Sequence, residues 1–193
     1  MYRMCKCCFV GLIALFLFAS FVSADLEDGL VLYMPFDEGK GDVTKDLSPN
    51  GFEGTITDPE WGEGKFGSAL MFDSSERFVE IPFADPFDIK DGITMAAWVT
   101  ANLPFSPEWK VILNAKKSGQ GPWGLQSRSV GNLETFYDVG GVRVWTSSVS
   151  AMEPDVFHHV AGTYDSEDGF KVYFDGVLEP NGQWGEHCYQ RFA

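Results

Sequence analysis

The sequence predicts an all-β fold, an antiparallel sandwich or barrel, on three observations. Short apolar stretches rich in Val, Ile, Phe, Tyr and Trp recur along the chain, and these side chains suit a pleated, half-buried surface. Gly, Pro, Asn and Asp break them at short intervals, the spacing of a sandwich or barrel. Beyond residue 24 no stretch of about 12 residues or more carries a helical period.

In order, the predicted strands cover residues 30–36, 54–57, 69–72, 78–82, 93–100, 110–115, 123–126, 133–137, 142–147, 158–164 and 170–174. The first, LVLYMPF, is apolar throughout and stops at Asp37-Glu38-Gly39. Pro49-Asn50-Gly51 supplies the turn before the second. Residues 69–72 (ALMF) come after Gly67, and 78–82 open with Phe78-Val79-Glu80-Ile81, the partial alternation of a sheet with one wet face. One turn of helix fits between them and the next strand, at 86–89. Residues 93–100 and 110–115 are largely apolar runs, and 123–126 and 133–137 each carry a large aromatic. Gly140-Gly141 turns the chain into Val142-Arg143-Val144-Trp145, which alternates again. The last two strands lead to Asp175-Gly176, set between Val172-Tyr173-Phe174 and Val177-Leu178. Asp-Gly tolerates the positive φ angles of a tight hairpin, so this is a hairpin.

The N-terminus reads as processing signal. Arg3 and Lys6 precede a continuous apolar run at residues 9–22 (FVGLIALFLFASFV), which ends at Val22-Ser23-Ala24 before acidic Asp25. That order defines a secretory signal peptide over residues 1–24, and the run is short for a span, which takes about 20 residues. Residues 25–193 then form one domain in a secreted, extracellular or cell-envelope protein, with no stable membrane insertion after cleavage. Cys5, Cys7 and Cys8 leave with the signal, so Cys188 has no internal disulfide partner.

The chain is strongly acidic, with 28 Asp and Glu against 14 Lys and Arg and a formal net charge of −14. Such a surface repels nucleic acid and anionic membranes and suits solubility, cationic ligands or calcium.

Several segments carry a family likeness in order. Gly29-Leu30-Val31-Leu32-Tyr33-Met34-Pro35-Phe36-Asp37-Glu38-Gly39 resembles the first strand of LamG-like (laminin G-like) jellyroll domains of the concanavalin A-like lectin/glucanase superfamily. Asp46-Leu47-Ser48-Pro49-Asn50-Gly51 resembles that family's next loop, and Gly64-Lys65-Phe66-Gly67-Ser68-Ala69-Leu70-Met71-Phe72-Asp73 its Gly-to-apolar strand. Phe78-Val79-Glu80-Ile81-Pro82 and Ile93-Thr94-Met95-Ala96-Ala97-Trp98-Val99 continue the likeness. The most diagnostic pair is Phe157-His158-His159-Val160-Ala161-Gly162-Thr163-Tyr164-Asp165 with Lys171-Val172-Tyr173-Phe174-Asp175-Gly176. The resemblance implies an antiparallel jellyroll β-sandwich with Trp98 in its core. Such domains continue past the Asp-Gly hairpin with further strands, one of them Gly-x-Ile-Asp-Glu-like. Here the chain ends Trp184-Gly185-Glu186-His187-Cys188-Tyr189-Gln190-Arg191-Phe192-Ala193, unlike that segment, which implies a sandwich incomplete at its C-terminal end.

Glycosidases of this superfamily place carboxylates at alternate positions of one strand, as Glu-x-Asp-x-(x)-Glu. That pattern is absent. Glu153-Pro154-Asp155 has the first spacing, but its proline marks a turn, and Asp165-Ser166-Glu167-Asp168 reads as a hairpin loop. Neither Gly-x-Ser-x-Gly nor His-Glu-x-x-His occurs. His158 and His159 are neighbours on a strand and face opposite ways, so they do not share a metal. Calcium wants several oxygens from one loop. Asp46 and Asn50, with Asp37, are the candidates, and related jellyroll domains bind a structural calcium; Asp, Ser and Asn also make side-chain turns with no metal. Trp109, Trp123 and Trp145 lie near loops or strand ends and are candidates to stack on a sugar, although core burial is the commoner use of such rings. The loop Phe105-Ser106-Pro107-Glu108-Trp109 is the leading one. The expectation is a secreted, non-catalytic module that binds glycan or an extracellular protein. The alternatives are a glycoside hydrolase-like enzyme with another carboxylate pair, and a structural or adhesive module without a pocket.

Overall fold

The computed structural model describes residues 27–73, 76–102, 110–115, 122–128, 131–139, 142–180 and 184–188. The signal segment, the Gly140-Gly141 turn and the loop ending at Trp109 lie outside them. Residues 27–30 form a turn of their own, closed by Leu30 N donating to Glu27 O at 3.1 Å.

From Val31 onward the described chain is almost entirely β. The strands are β1 (Val43–Lys45), β2 (Glu53–Thr57), β3 (Trp61–Glu63), β4 (Ser68–Leu70), β5 (Phe78–Glu80), β6 (Gly92–Val99) and β7 (Lys110–Asn114), with a 3-10 turn at Asp85–Phe87. They continue as β8 (Trp123–Ser127), β9 (Asn132–Val139), β10 (Val142–Ala151), β11 (His158–Asp165), β12 (Gly169–Phe174), β13 (Val177–Leu178) and β14 (Trp184–Cys188). The larger sheets run β14-β10-β9-β8-β7 and β13-β12-β11-β6, and all their pairings are antiparallel. Smaller sheets pair β1-β2-β5 and β3-β4.

The two larger sheets pack face to face. Leu125 and Leu133 point inward from one, Val160 and Val172 from the other, and all four are essentially inaccessible to solvent. Tyr137 of β9 stacks on Tyr164 of β11, with centroids 4.5 Å apart and planes 14° from parallel. Burial pushes the Tyr137 phenol up, with Tyr164 and the nearby Asp88 and Asp91 adding to it; its hydroxyl donates to Ile89 O. The sheets approach closely at Gly162 of β11. A Cβ there would stand 2.6 Å from Thr135 Cβ of β9, so only glycine lets the layers meet at that point.

The sandwich and most predicted strands are present, with three differences. Residues 30–36 form no ladder strand, because side chains take up their backbone groups instead. Tyr33 N donates to Asp46 Oδ1 at 2.8 Å, and Val31 O accepts from Ser48 Oγ and Asn50 Nδ2. Residues 184–188, which do not resemble the Gly-x-Ile-Asp-Glu-like segment, pair with β10 from Val142↔Cys188 to Thr146↔Trp184. The short strands β1 and β3 escape sequence reading, since three residues carry no period.

Candidate functional site

The pleat of β6 decides where its side chains go. Met95 is buried, Ile93, Ala97 and Val99 pack against the core, and Thr94, Ala96 and Trp98 face outward. Trp98 is 43% exposed. Pairing with β11 sets His159 directly across from it, and the two rings meet edge to face at 5.3 Å. His158, one residue earlier, faces inward and is buried.

The β12–β13 hairpin closes one end of this patch. Asp175 and Gly176 take φ of +49° and +79°, the backbone a two-residue Asp-Gly turn requires. The Asp175 carboxylate turns back to the start of β11: Oδ1 accepts from His159 N at 2.9 Å and Oδ2 lies 2.8 Å from His158 Nδ1. His158 Nε2 accepts from Glu153 N at 3.1 Å, which places the imidazole proton on Nδ1, pointing at Asp175. The bond to His158, then the one from His159 N, holds the Asp175 carboxyl below the usual carboxylate range. With Nε2 taken by a backbone N–H, His158 has no lone pair for a substrate proton. The pair fastens the hairpin and is not a catalytic dyad.

The β3–β4 turn supplies the opposite side. Gly64 N donates to Gly67 O, Ser68 N to Asp37 Oδ1 at 3.2 Å, and Ser68 Oγ to Phe36 O at 2.6 Å. Gly67 has φ +60°, and a Cβ there would fall 2.0 Å from Asp37 Oδ1. This braced turn carries Lys65 and Phe66 onto Trp98. Phe66, 69% exposed, meets the indole edge to face at 5.8 Å, and Lys65 Nζ lies 5.2 Å from its centroid. Lys65, Trp98, Phe157, His159, Asp175 and Gly176 line a wide, shallow groove of about 490 Å³. A half-exposed indole with a cation over its ring, beside an imidazole and a carboxylate, can stack on an apolar ring face once the cation moves aside, and its neighbours can hydrogen-bond the rim.

The residues singled out from sequence lie elsewhere. Trp109 is outside the described residues. Trp123, 5% exposed, is in the core and donates its indole N–H to Phe87 O at 3.1 Å. Trp145 is on the outer face of the five-stranded sheet but only 9% exposed, with the Arg128 guanidinium 5.3 Å above its ring. Neither presents an open face, which corrects their reading as stacking platforms. Trp98, expected in the core, is the exposed indole. The signal that finds it is the parity of β6, where Ile93, Met95, Ala97 and Val99 share the inward face.

Asp37, Asp46 and Asn50 are not gathered round one point. The Asp46 carboxylate accepts from Tyr33 N, Ser48 N, Ser48 Oγ and Phe52 N at 2.7–3.2 Å. Burial raises its pKa, but these bonds outweigh that and hold it below the usual range. N–H and O–H groups crowd the oxygens a cation would need. Asn50 turns its Nδ2 to Val31 O at 2.9 Å, and Asp37 faces Ser68. Among the described residues no three His, Cys, Asp or Glu side chains converge as ligands. The set does not suit calcium, which takes six to eight oxygens.

The outer face of the five-stranded sheet holds the most buried carboxylate among the described residues, Glu134, at 1% exposure. Gln126 Nε2 donates to its Oε1 at 2.7 Å, and Arg128 Nε lies 3.7 Å from Oε2. Asp138 faces the same way four residues on, paired to Arg143 at 3.0 Å. Each of these carboxylates is thus engaged by a neighbouring amide or guanidinium.

A family model described as the concanavalin A-like lectin/glucanases superfamily matches residues 73–189. Among solved structures, the chain is similar to the binding domain of Paraclostridial Mosquitocidal Protein 1, with a TM-score of 0.64 and 15% identity. That match covers 82% of this chain and 41% of the other, so the chain spans less than half the length of this structural neighbour. No curated protein matches the sequence.

Proposed function

The chain belongs to the concanavalin A-like lectin/glucanases superfamily, and from that premise we propose that it is a secreted, non-catalytic module that binds carbohydrate through the groove at Trp98. The observation that carries the reading is the exposed indole, braced between His159 and Phe66 at the floor of an open groove. A soluble domain gains nothing in stability from holding a large aromatic in water, whereas a saccharide stacks its C–H face on such a ring. The structural neighbour is itself a binding domain, which agrees with a binding role. The absence of catalysis is supported by the engagement of both His158 ring nitrogens and by the pairing of Glu134 and Asp138 with Gln126, Arg128 and Arg143.

The test is a glycan array read with the secreted protein and with Trp98→Ala. The expected result is binding to a restricted set of glycans, weakened about tenfold or more by the substitution, as loss of an aromatic anchor costs a couple of kcal/mol. Undiminished binding by the variant would remove Trp98 from the site. Release of reducing sugar from a bound glycan would replace the binding module with an enzyme.

A further inference from the structure

We propose that the groove at Trp98 selects anionic saccharides, those whose ring carries a carboxylate, with Lys65 as the residue that reads the charge. The inference rests on the binding role proposed for this groove and deepens it.

The first observation is the state of Lys65. The chain has twice as many acidic as basic residues, and several cations of the fold take carboxylate partners, although Lys40, Lys45 and Lys110 make no ion pair among the described residues. Arg77 reaches Asp58, Glu60 and Asp73, Arg143 reaches Asp138, and Lys171 reaches Asp168. Lys65 makes no ion pair among the described residues, and its ammonium sits over the Trp98 ring. A cation on an exposed aromatic face is held weakly, and a carboxylate is a stronger partner.

The second observation is why the carboxylate lining the same groove does not serve. Asp175 points both oxygens back into the fold, Oδ1 to His159 N and Oδ2 to His158 Nδ1. The carboxylate is held by β11 although 48% exposed, and it makes no ion pair with Lys65, which remains available to a ligand.

The third is geometric. Lys65 stands in a turn pinned by Asp37 and closed by glycines, so its Cα is fixed while its long side chain is free to swing. A ligand carboxylate draws the ammonium off the ring, and the ring face it uncovers is the surface on which the sugar stacks. Charge recognition and stacking are therefore coupled: a neutral sugar must displace Lys65 from the indole without offering it a replacement, whereas an anionic one supplies the replacement.

The experiment is isothermal titration of the secreted protein with a panel of glucuronate- and galacturonate-containing oligosaccharides. Each is paired with its carboxyl-reduced form, which is the same glycan with the charge removed. The proteins are the wild type, Lys65→Gln, Lys65→Arg and Trp98→Ala, with melting curves to show that each is folded. The expected result is a preference of about tenfold or more for the acidic form in the wild type. Lys65→Gln abolishes that preference, with neutral binding equal or improved, and Lys65→Arg retains it. Trp98→Ala weakens both forms. Equal affinity for the paired glycans in the wild type, or a preference that survives Lys65→Gln, overturns the anion selectivity; the binding role still stands if Trp98→Ala weakens both. Failure of every oligosaccharide to bind overturns both. Dimerisation seen by light scattering and lost in Trp98→Ala would assign the groove to a second copy of the chain, and likewise overturn both.

Discussion

Asp46 illustrates how one side chain can replace a stretch of ladder. Its two oxygens collect the backbone N–H of Tyr33, Ser48 and Phe52 and the Ser48 hydroxyl, and so tie residues 31–33 to the loop before β2. Asp46→Ala would leave several of these donors without a partner, at about 2–4 kcal/mol in all. A denaturant melt should show the midpoint fall with the slope unchanged. The same bonds fix the pH response. Because the folded carboxyl lies below its ordinary value of 3.8, its stabilisation is complete above that value and is lost as pH falls through the lower, folded one. Asp175, lowered chiefly by its bond to His158, acts in the same sense. Melting midpoints should hold steady down to about pH 5 and drop below about pH 4, and the Asp46→Ala variant should show a shallower acid fall. A ligand of the native state raises its melting point, so an equal midpoint in calcium and in chelator is expected from an Asp46 already surrounded by donors. The turn chemistry of Asp46, Asn50 and Asp37 is visible in the sequence. Sequence alone does not separate a cation cage from a donor cage, because both draw on Asp and Asn in a turn.

At the scale of elements, strands are legible wherever β-branched and aromatic residues run for five or more positions, as in β6, β11 and β12. The faces are less so. Family position puts Trp98 inward, although alternation along β6 places it outward with Thr94 and Ala96. Trp123 and Trp145 sit on opposite faces of one sheet, and neither is exposed; no local pattern tells which outer face another part of the molecule will cover. Gly162 shows what the sheets demand of each other. Gly162→Ala would drive a Cβ to 2.6 Å from Thr135, and the layers must part or Thr135 must leave its rotamer. Overpacking of this kind costs about 1–3 kcal/mol, so the melting midpoint should fall by several degrees. Gly169→Ala, at a hairpin turn with φ +75° and open space around it, is strained by backbone alone and should cost about 1 kcal/mol.

For the whole molecule, the apolar run at residues 9–22 with Val22-Ser23-Ala24 at its end makes a definite prediction. Expressed in a secreting host, the chain should appear in the medium, and N-terminal sequencing should begin at Asp25. A membrane-retained product that still carries Met1 would show an anchor instead. The acidic surface sets how a glycan is met: with a formal charge of −14, long-range forces slow the approach of any anion. Added salt should therefore speed association with an acidic oligosaccharide while weakening the final contact at Lys65, two opposed effects that stopped-flow and equilibrium measurements separate. Fold class and superfamily are legible because they are spread over many residues. The groove is not, because it joins a turn at residues 64–67, a strand at 98 and a hairpin at 175 that no local window contains.

The turn at residues 64–67 has one more implication. Its conformation depends on Gly64, Gly67 and the Asp37 brace, whereas Lys65 brings its side chain to the groove and Phe66 brings its ring to the Trp98 indole. The dipeptide is thus a cassette on a fixed mount. Exchanging it would change what the site prefers while the indole beneath and the sandwich behind stay as they are, which makes two adjacent codons the shortest route by which this scaffold could be retargeted, by selection or by design.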